Sequence, residues 1–291
     1  MGRLAPTEVI LPHDCDLGCG TKARRAVPSE GLRSVGPVVV LDHLTPGANA
    51  GFDLSPHPHT GLVKATYLLS GSLVHHDGLG NLQTIGAGDL GWLSAGRGVA
   101  HSEHAAPPVS GVQLWLALPH GHLEDEPFFT LLAKDRLPEI TGGGKLVRLI
   151  AGRLFGKASP LVTPWDLLLA DVTLEAGASL PIPSQHDEQA LYTLEGQLQI
   201  ENQVYPACEL LVTPPKTAVS VRAVGGSARF LLIGGQRLDG PRQLWWTLLS
   251  EGEERLDQAR ADWAAGRFAP VPGEKGVSLP STQQEVPTTN A

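Results

Sequence analysis

Residues 66–73 read "TYLLSGSL", and residues 191–198 read "LYTLEGQL". Set against each other, they match Tyr67 with Tyr192, Leu69 with Leu194, Gly71 with Gly196 and Leu73 with Leu198, at an offset of 125 residues. Each has the pattern of two short apolar strands joined by a tight turn at glycine. Each also follows a proline-bearing stretch with histidine, "SPHPHTG" (55–61) in one half and "PIPSQHDEQ" (181–189) in the other. A repeat of this kind predicts a duplicated β-barrel.

The flanking sequence extends the pattern. "VGPVVVLDHL", "GDLGWLS" and "GVQLWLALP" read as further strands of the first half; "LLLADVTLEAG", "CELLVTPP", "AVSVRAVG" and "ARFLLIGG" belong to the second. "DGLGN" (77–81) predicts a hairpin turn. The 34 glycines and 24 prolines, about a fifth of 291 residues, favour an all-β chain with many turns. Hydrophobic residues at 42% and charged residues at 18% fit a packed globular protein. "EPFFTLLAKDRL" (126–137) reads as a connecting segment. One helix is predicted near 250–266, with Ser250 as its cap, acidic residues in its first turn, Leu256, Ala259 and Trp263 at helical spacing, and Gly266 at its end. The expected organisation is a barrel over 1–134, a second barrel with the helix over 135–270, and a disordered tail over 271–291.

Several functions are disfavoured. The net charge is −8 without a basic stripe, which argues against direct nucleic-acid binding. No apolar run suggests a signal peptide or a membrane span. Cys15, Cys19 and Cys208 cannot pair completely, and "CDLGC" lacks a second pair at zinc spacing, so reduced thiols and a cytoplasmic setting are expected. A monomer is expected because two barrels can bury each other's faces.

The chain has 11 histidines, and two of them stand in "HPH" at 57 and 59. In an extended strand, residues i and i+2 share a face, so both imidazoles would point together; a surface loop is the plainer reading of that pair alone. "SAGRGVAHSEHA" (94–105) adds His101 and Glu103 at the same spacing. On two strands of one barrel, these four residues could converge as three imidazoles and a carboxylate. That donor set suits Fe(II), Mn(II), Ni(II), Cu(II) or Zn(II) and leaves positions open for other ligands. Asp53, Ser55 and Thr60 are candidates to orient the imidazoles. Of His75 and His76 only one can face inward, where it could line the cavity, and an exposed strand histidine is the favoured reading. His120 and His122 read as a surface loop, Trp92 and Trp115 as core aromatics, and Trp245–Trp246 as an anchor for the helix. In the second half His186 stands alone, and "TPPKTAVSVRA" (213–223) has neither His nor Glu, so that barrel is expected to be metal-free.

"FDLSPHPHTG", "TYLLSGSLVHHDGLGN", "GAGDLGWLSAGRGVAHSE" and "GVQLWLALP" closely resemble the N-terminal signature of the pirin family, and "ARFLLIGG" with "WWTLLSEGEERLDQARADWAAGRF" its C-terminal half. The resemblance runs over about residues 15–269 and includes members that act as bacterial quercetin 2,3-dioxygenases. It implies two cupin (jelly-roll-like) barrels in tandem. It also implies one metal, usually iron, on His57, His59, His101 and Glu103, with Mn, Ni, Cu, Co or Zn as other occupants. The implied activity is O2-dependent oxidation of a small aromatic substrate, a quercetin-like flavonol, with Glu103 as catalytic base. The alternative is a non-enzymatic, redox-sensing iron protein that binds a protein partner. The family stretch HRGFET reads "HTGLVK" here, so Thr60 replaces arginine and Val63 replaces glutamate.

Overall fold

The structure, a computed structural model, describes residue 6 and residues 8–17, 21–45 and 52–275. Two compact units emerge, and each contains a seven-stranded and a four-stranded antiparallel sheet. This is the duplicated barrel that the repeat predicts, in the jelly-roll form that the family resemblance implies.

In the first barrel the strands that matter are β1 (Val38–Leu44), β2 (Phe52–His59), β3 (Leu62–Ser70), β4 (Ser72–Asp77), β5 (Leu90–Ser94), β6 (Val99–Ala105) and β7 (Ser110–Ala117). The larger sheet runs through β5, β3, β7 and β1, and the smaller through β2, β6 and β4. In the second barrel, β8 (Leu167–Leu174), β9 (Glu188–Glu195) and β10 (Ala228–Gly235) take the places of β1, β3 and β7. Its interior is packed by Leu168, Leu191, Leu211, Phe230 and Leu232 among others, each buried large side chain contributing about 1.5–3 kcal/mol.

The matched glycines show why the repeat is readable. Gly71 has φ +77° and Gly196 φ +74°. A Cβ on Gly71 would lie 2.4 Å from the Pro108 carbonyl oxygen, and one on Gly196 2.2 Å from that of Ser227. Both turns need left-handed backbone and a bare α-carbon.

Four expectations change. Helix α1 spans Glu253–Ala264 with Gly252 at its N-cap, because Ser250 ends the strand Leu248–Ser250 and its hydroxyl donates to the Gly252 carbonyl at 2.7 Å. The boundaries 1–134 and 135–270 do not hold: Ala26–Pro37 and the strand Glu8–Ile10, paired with Leu210–Val212, go with the second barrel, while the first barrel's unit joins Asp14–Arg25 and Val38–Lys134 to the helix after Leu238. Leu256 and Ala259 pack there on Leu248, while Trp246 meets Trp263 and Trp245 stacks under Arg260. The segment expected as a connector forms a strand, Phe128–Leu132, because its apolar residues extend the first barrel's larger sheet beside β5. Within the expected tail, residues 271–275 are tied down by buried Val271 and by Glu274, which accepts from Ser102 and His104; the rest of it, 276–291, lies outside the described residues, as does Cys19.

"DGLGN" is a hairpin turn, in which Asp77 Oδ1 accepts from the backbone amides of Leu79 and Asn81. Cys15 and Cys208 are free, and burial, aided by nearby Asp42, pushes the Cys15 thiol up to about 12. No described helix is long and apolar enough to cross a membrane.

Candidate metal centre

Strands β2 and β6 pair antiparallel with His57 opposite His101, so these side chains share a face and His59 joins them two residues on. The ring centroids lie 4.5 Å apart for His57–His101, 5.0 Å for His59–His101 and 5.1 Å for His57–His59. One nitrogen from each of the three lies within 4.8 Å of the others, and all three residues are buried.

The hydrogen bonds fix which nitrogen carries the proton. Backbone carbonyls only accept, so His57 Nδ1–H donates to Ser55 O at 2.9 Å and His59 Nδ1–H donates to Thr247 O at 3.1 Å. His101 is set through a neighbour. Buried Asp77 accepts from His75 Nε2–H at 2.9 Å; burial pushes the Asp77 carboxyl up, but bonds from His75 and Asn81 hold it below the usual range. His75 Nδ1 lies 3.3 Å from His101 Nδ1, where it can accept from His101 Nδ1–H. In that tautomer of His101, all three rings have Nδ1 protonated and Nε2 bare. His59 Nε2 and His101 Nε2 lie 3.1 Å apart, and with both Nδ1 atoms protonated no proton stands between them. Opposed lone pairs repel, and a cation between them removes the repulsion. At metal–nitrogen bonds of about 2.0–2.1 Å, tetrahedral neighbours sit about 3.3 Å apart, so the spacing fits a first-row divalent ion.

Electrostatics agree. Burial, with Lys64 next, lowers His57 to about 4. Burial also drives His59, with His57 and then Lys64 adding to it, and His101, with Lys64 and then His57 and His59 adding to it, well below their ordinary value. The rings are thus neutral near pH 7, the form that binds metal.

Glu103 is close by but engaged. Its Oε2 accepts from Lys64 Nζ and from Gln113 Nε2 (2.9 Å), and its Oε1 from Thr66 Oγ1 (3.3 Å). Burial alone would push its carboxyl up; Lys64 and Gln113 outweigh that and keep it below the usual range. Lys64 and Glu103 are 2% and 1% exposed. Glu103 also falls in a second group of converging ligand atoms, with His75 and His101.

Several sequence expectations shift here. His75 faces inward, stacked on Phe129 at 4.0 Å, because residues 75 and 77 share the inner face of β4. Ser55 orients His57 through its carbonyl. Asp53 pairs with His104, and Thr60 donates to Leu249 O. Neither touches an imidazole of the trio. Trp92 is core, and Trp115 packs edge-on to His59 at 5.3 Å with its Nε1 buried and unpartnered. His120 and His122 are exposed. Val63 lies on the opposite face of β3 from Lys64 and Thr66. Sequence reading passed over Lys64, whose signal was a charge inside the apolar run "LVKATYLLS", a place a lysine occupies only with a partner.

A tandem pair of cupin barrels with a histidine-lined centre in the first defines a bicupin with a candidate metal site. The family model described as "Pirin" matches residues 20–116, and "Pirin C-terminal cupin domain" matches residues 169–269. A pirin-like protein of Caulobacter vibrioides is 34% identical over 277 residues, covering 91% of this chain and 95% of that one. The chain belongs to the pirin family. The crystal structure of a quercetin 2,3-dioxygenase from Acinetobacter baumannii superposes with a TM-score of 0.87 at 27% identity, covering 97% of this chain and 98% of that one. The bacterial pirin YhhW from Escherichia coli, solved in complex with nickel(II), shares the fold at 18% identity and a TM-score of 0.61, covering 79% and 99%.

Proposed function

We propose that this pirin is a metal-dependent dioxygenase that uses O2 to oxidise quercetin-like flavonols, with the metal on His57, His59 and His101. The supporting observation is the pair of buried Nε2 atoms, on His59 and His101, that lie 3.1 Å apart. The likeness to a quercetin 2,3-dioxygenase over almost the full chain supports the substrate class. An ion held there, Fe(II) in first place and Mn, Ni, Cu, Co or Zn on the same donors, would supply Lewis acidity toward a substrate hydroxyl and electron exchange with O2.

The chain's own residues do the rest. Asp77 and His75 hold His101 in the tautomer that points Nε2 inward, and the Ser55 and Thr247 carbonyls do so for His57 and His59. Glu103 is the catalytic base: its Oε1, which carries only the long bond from Thr66, takes the proton of the substrate hydroxyl. Trp115 walls the centre and offers an uncommitted N–H to a substrate oxygen. We place the protein in the cytoplasm as a monomer, where its unpaired Cys15 and Cys208 suit a reducing setting.

The test is oxygen uptake with quercetin by protein loaded anaerobically with Fe(II), beside a His101→Ala control. Uptake that disappears in the control is the expected result. No uptake at one bound metal per chain would overturn the flavonol activity and leave the non-enzymatic, partner-binding reading in its place.

A further inference from the structure

We propose that Lys64 withholds Glu103 from the metal, so that this centre is built from three imidazoles, with the Lys64–Glu103 pair as a fixed counter-charge beside it. This rests on the reading that His57, His59 and His101 hold the metal.

The geometry of β3 and β6 carries it. Lys64 and Thr66 alternate onto the inner face of β3, and both reach Glu103 on β6. Gln113 from β7 closes the third side. Oε2 is therefore held by two donors, and Oε1 carries only the longer bond from Thr66. Glu103 is also the one carboxylate within ion-pair distance of Lys64 among the described residues. Turning Glu103 toward a metal would strand a buried ammonium without a partner, which is far costlier than leaving the pair intact. Against the family stretch HRGFET, "HTGLVK" puts Lys64 where threonine stands, and a threonine could not hold the carboxylate in this way. The lysine also adds positive charge beside a site meant for a dication, so it weakens metal binding in two ways at once.

The experiment is titration of metal-free protein with Ni(II), read by calorimetry, on wild type, Lys64→Met, the double variant Lys64→Met/Glu103→Gln, and His101→Ala. Lys64→Met removes the charge and keeps the volume. It should bind Ni(II) about tenfold tighter or more, the scale on which groups next to ligands alter metal affinity. The double variant should return to wild-type affinity or slightly above it, because Glu103 contributes no bond in the wild type. Two results would overturn the proposal: Lys64→Met no tighter than wild type, or the double variant about tenfold weaker than wild type. If Lys64→Met does not fold, Lys64→Thr carries the same comparison. A failure of the underlying metal reading looks different. In that case Ni(II) binding is missing in both wild type and Lys64→Met, or survives in His101→Ala, and the proposal falls with it.

Discussion

The two barrels share a strand plan and differ in what fills them. In the first, the β2–β6 pairing places His57 opposite His101. In the second, the corresponding strands Ser179–Ile182 and Val219–Ala223 place Leu180 opposite Val221 and Ile182 opposite Val219. The second barrel closes around those aliphatic side chains. The first has three imidazoles and Glu103 on the matching strands, and Lys64 stands where the 125-residue offset puts buried Gln189. Because the apolar version of this jelly-roll stands, the fold itself does not call for the polar one. Buried polar groups cost free energy unless each is partnered, so folding alone does not account for the polar interior of the first barrel.

Making the first barrel resemble the second should have large and opposite effects, depending on how it is done. Glu103→Leu alone leaves Lys64 buried without its partner and should destabilise the metal-free protein by about 3–5 kcal/mol. Lys64→Met together with Glu103→Leu should recover most of that loss, since an apolar pair can replace a buried ion pair at little cost. Chemical denaturation of the three proteins, followed by intrinsic fluorescence, separates the cases. Equal stability of Glu103→Leu and wild type would remove the distinction between the barrels.

Acid sensitivity should come next. Burial, with Arg24 adding to it, lowers His43 on β1 to about 4 from 6.5. The unfolded chain therefore takes up a proton there before the folded one does. The stability contributed is full above about pH 6.5 and is lost as pH falls toward 4, by about 3 kcal/mol in total. His43→Gln should flatten the denaturation midpoint over that window in metal-free protein; an unchanged slope would contradict the buried neutral histidine.

The glycine turns test the likeness rather than the difference. Gly71→Ala and Gly196→Ala should each destabilise by about 1–3 kcal/mol, because both put a Cβ at left-handed φ against a carbonyl oxygen. Equal costs would sharpen the duplication, and a cost at one site only would break it. The smallest effect belongs to the Asp77–His75 relay, which the second barrel lacks at Ile200. Asp77→Asn frees the His75 tautomer and should weaken Ni(II) binding by about tenfold, with little change in folding.

The repeat and the histidine motifs were legible for the same reason: each is a short-range pattern that the barrel simply copies. Alternation of apolar residues about Gly71 and Gly196 specifies a hairpin wherever it occurs, and His57–His59 and His101–Glu103 each need only a strand to share a face. What escaped depends on partners distant in sequence. Thr247, which fixes His59, lies 188 residues away, and Lys64 meets Glu103 only through the register of two sheets. The inward turn of His75 followed from alternation, but choosing it over His76 required knowing which face of β4 was inside. Ser250 was a reasonable cap until the strand Leu248–Ser250 claimed it, and nothing local to α1 says on which barrel it packs.

The most direct test of the account is metal stoichiometry on purified wild type, His101→Ala and His186→Ala, each loaded with Fe(II) under anaerobic conditions, desalted and analysed for metal. The account predicts one ion per chain in wild type and in His186→Ala, and none in His101→Ala. Metal retained by His101→Ala, or lost from His186→Ala, would contradict a single centre built on the imidazoles of the first barrel.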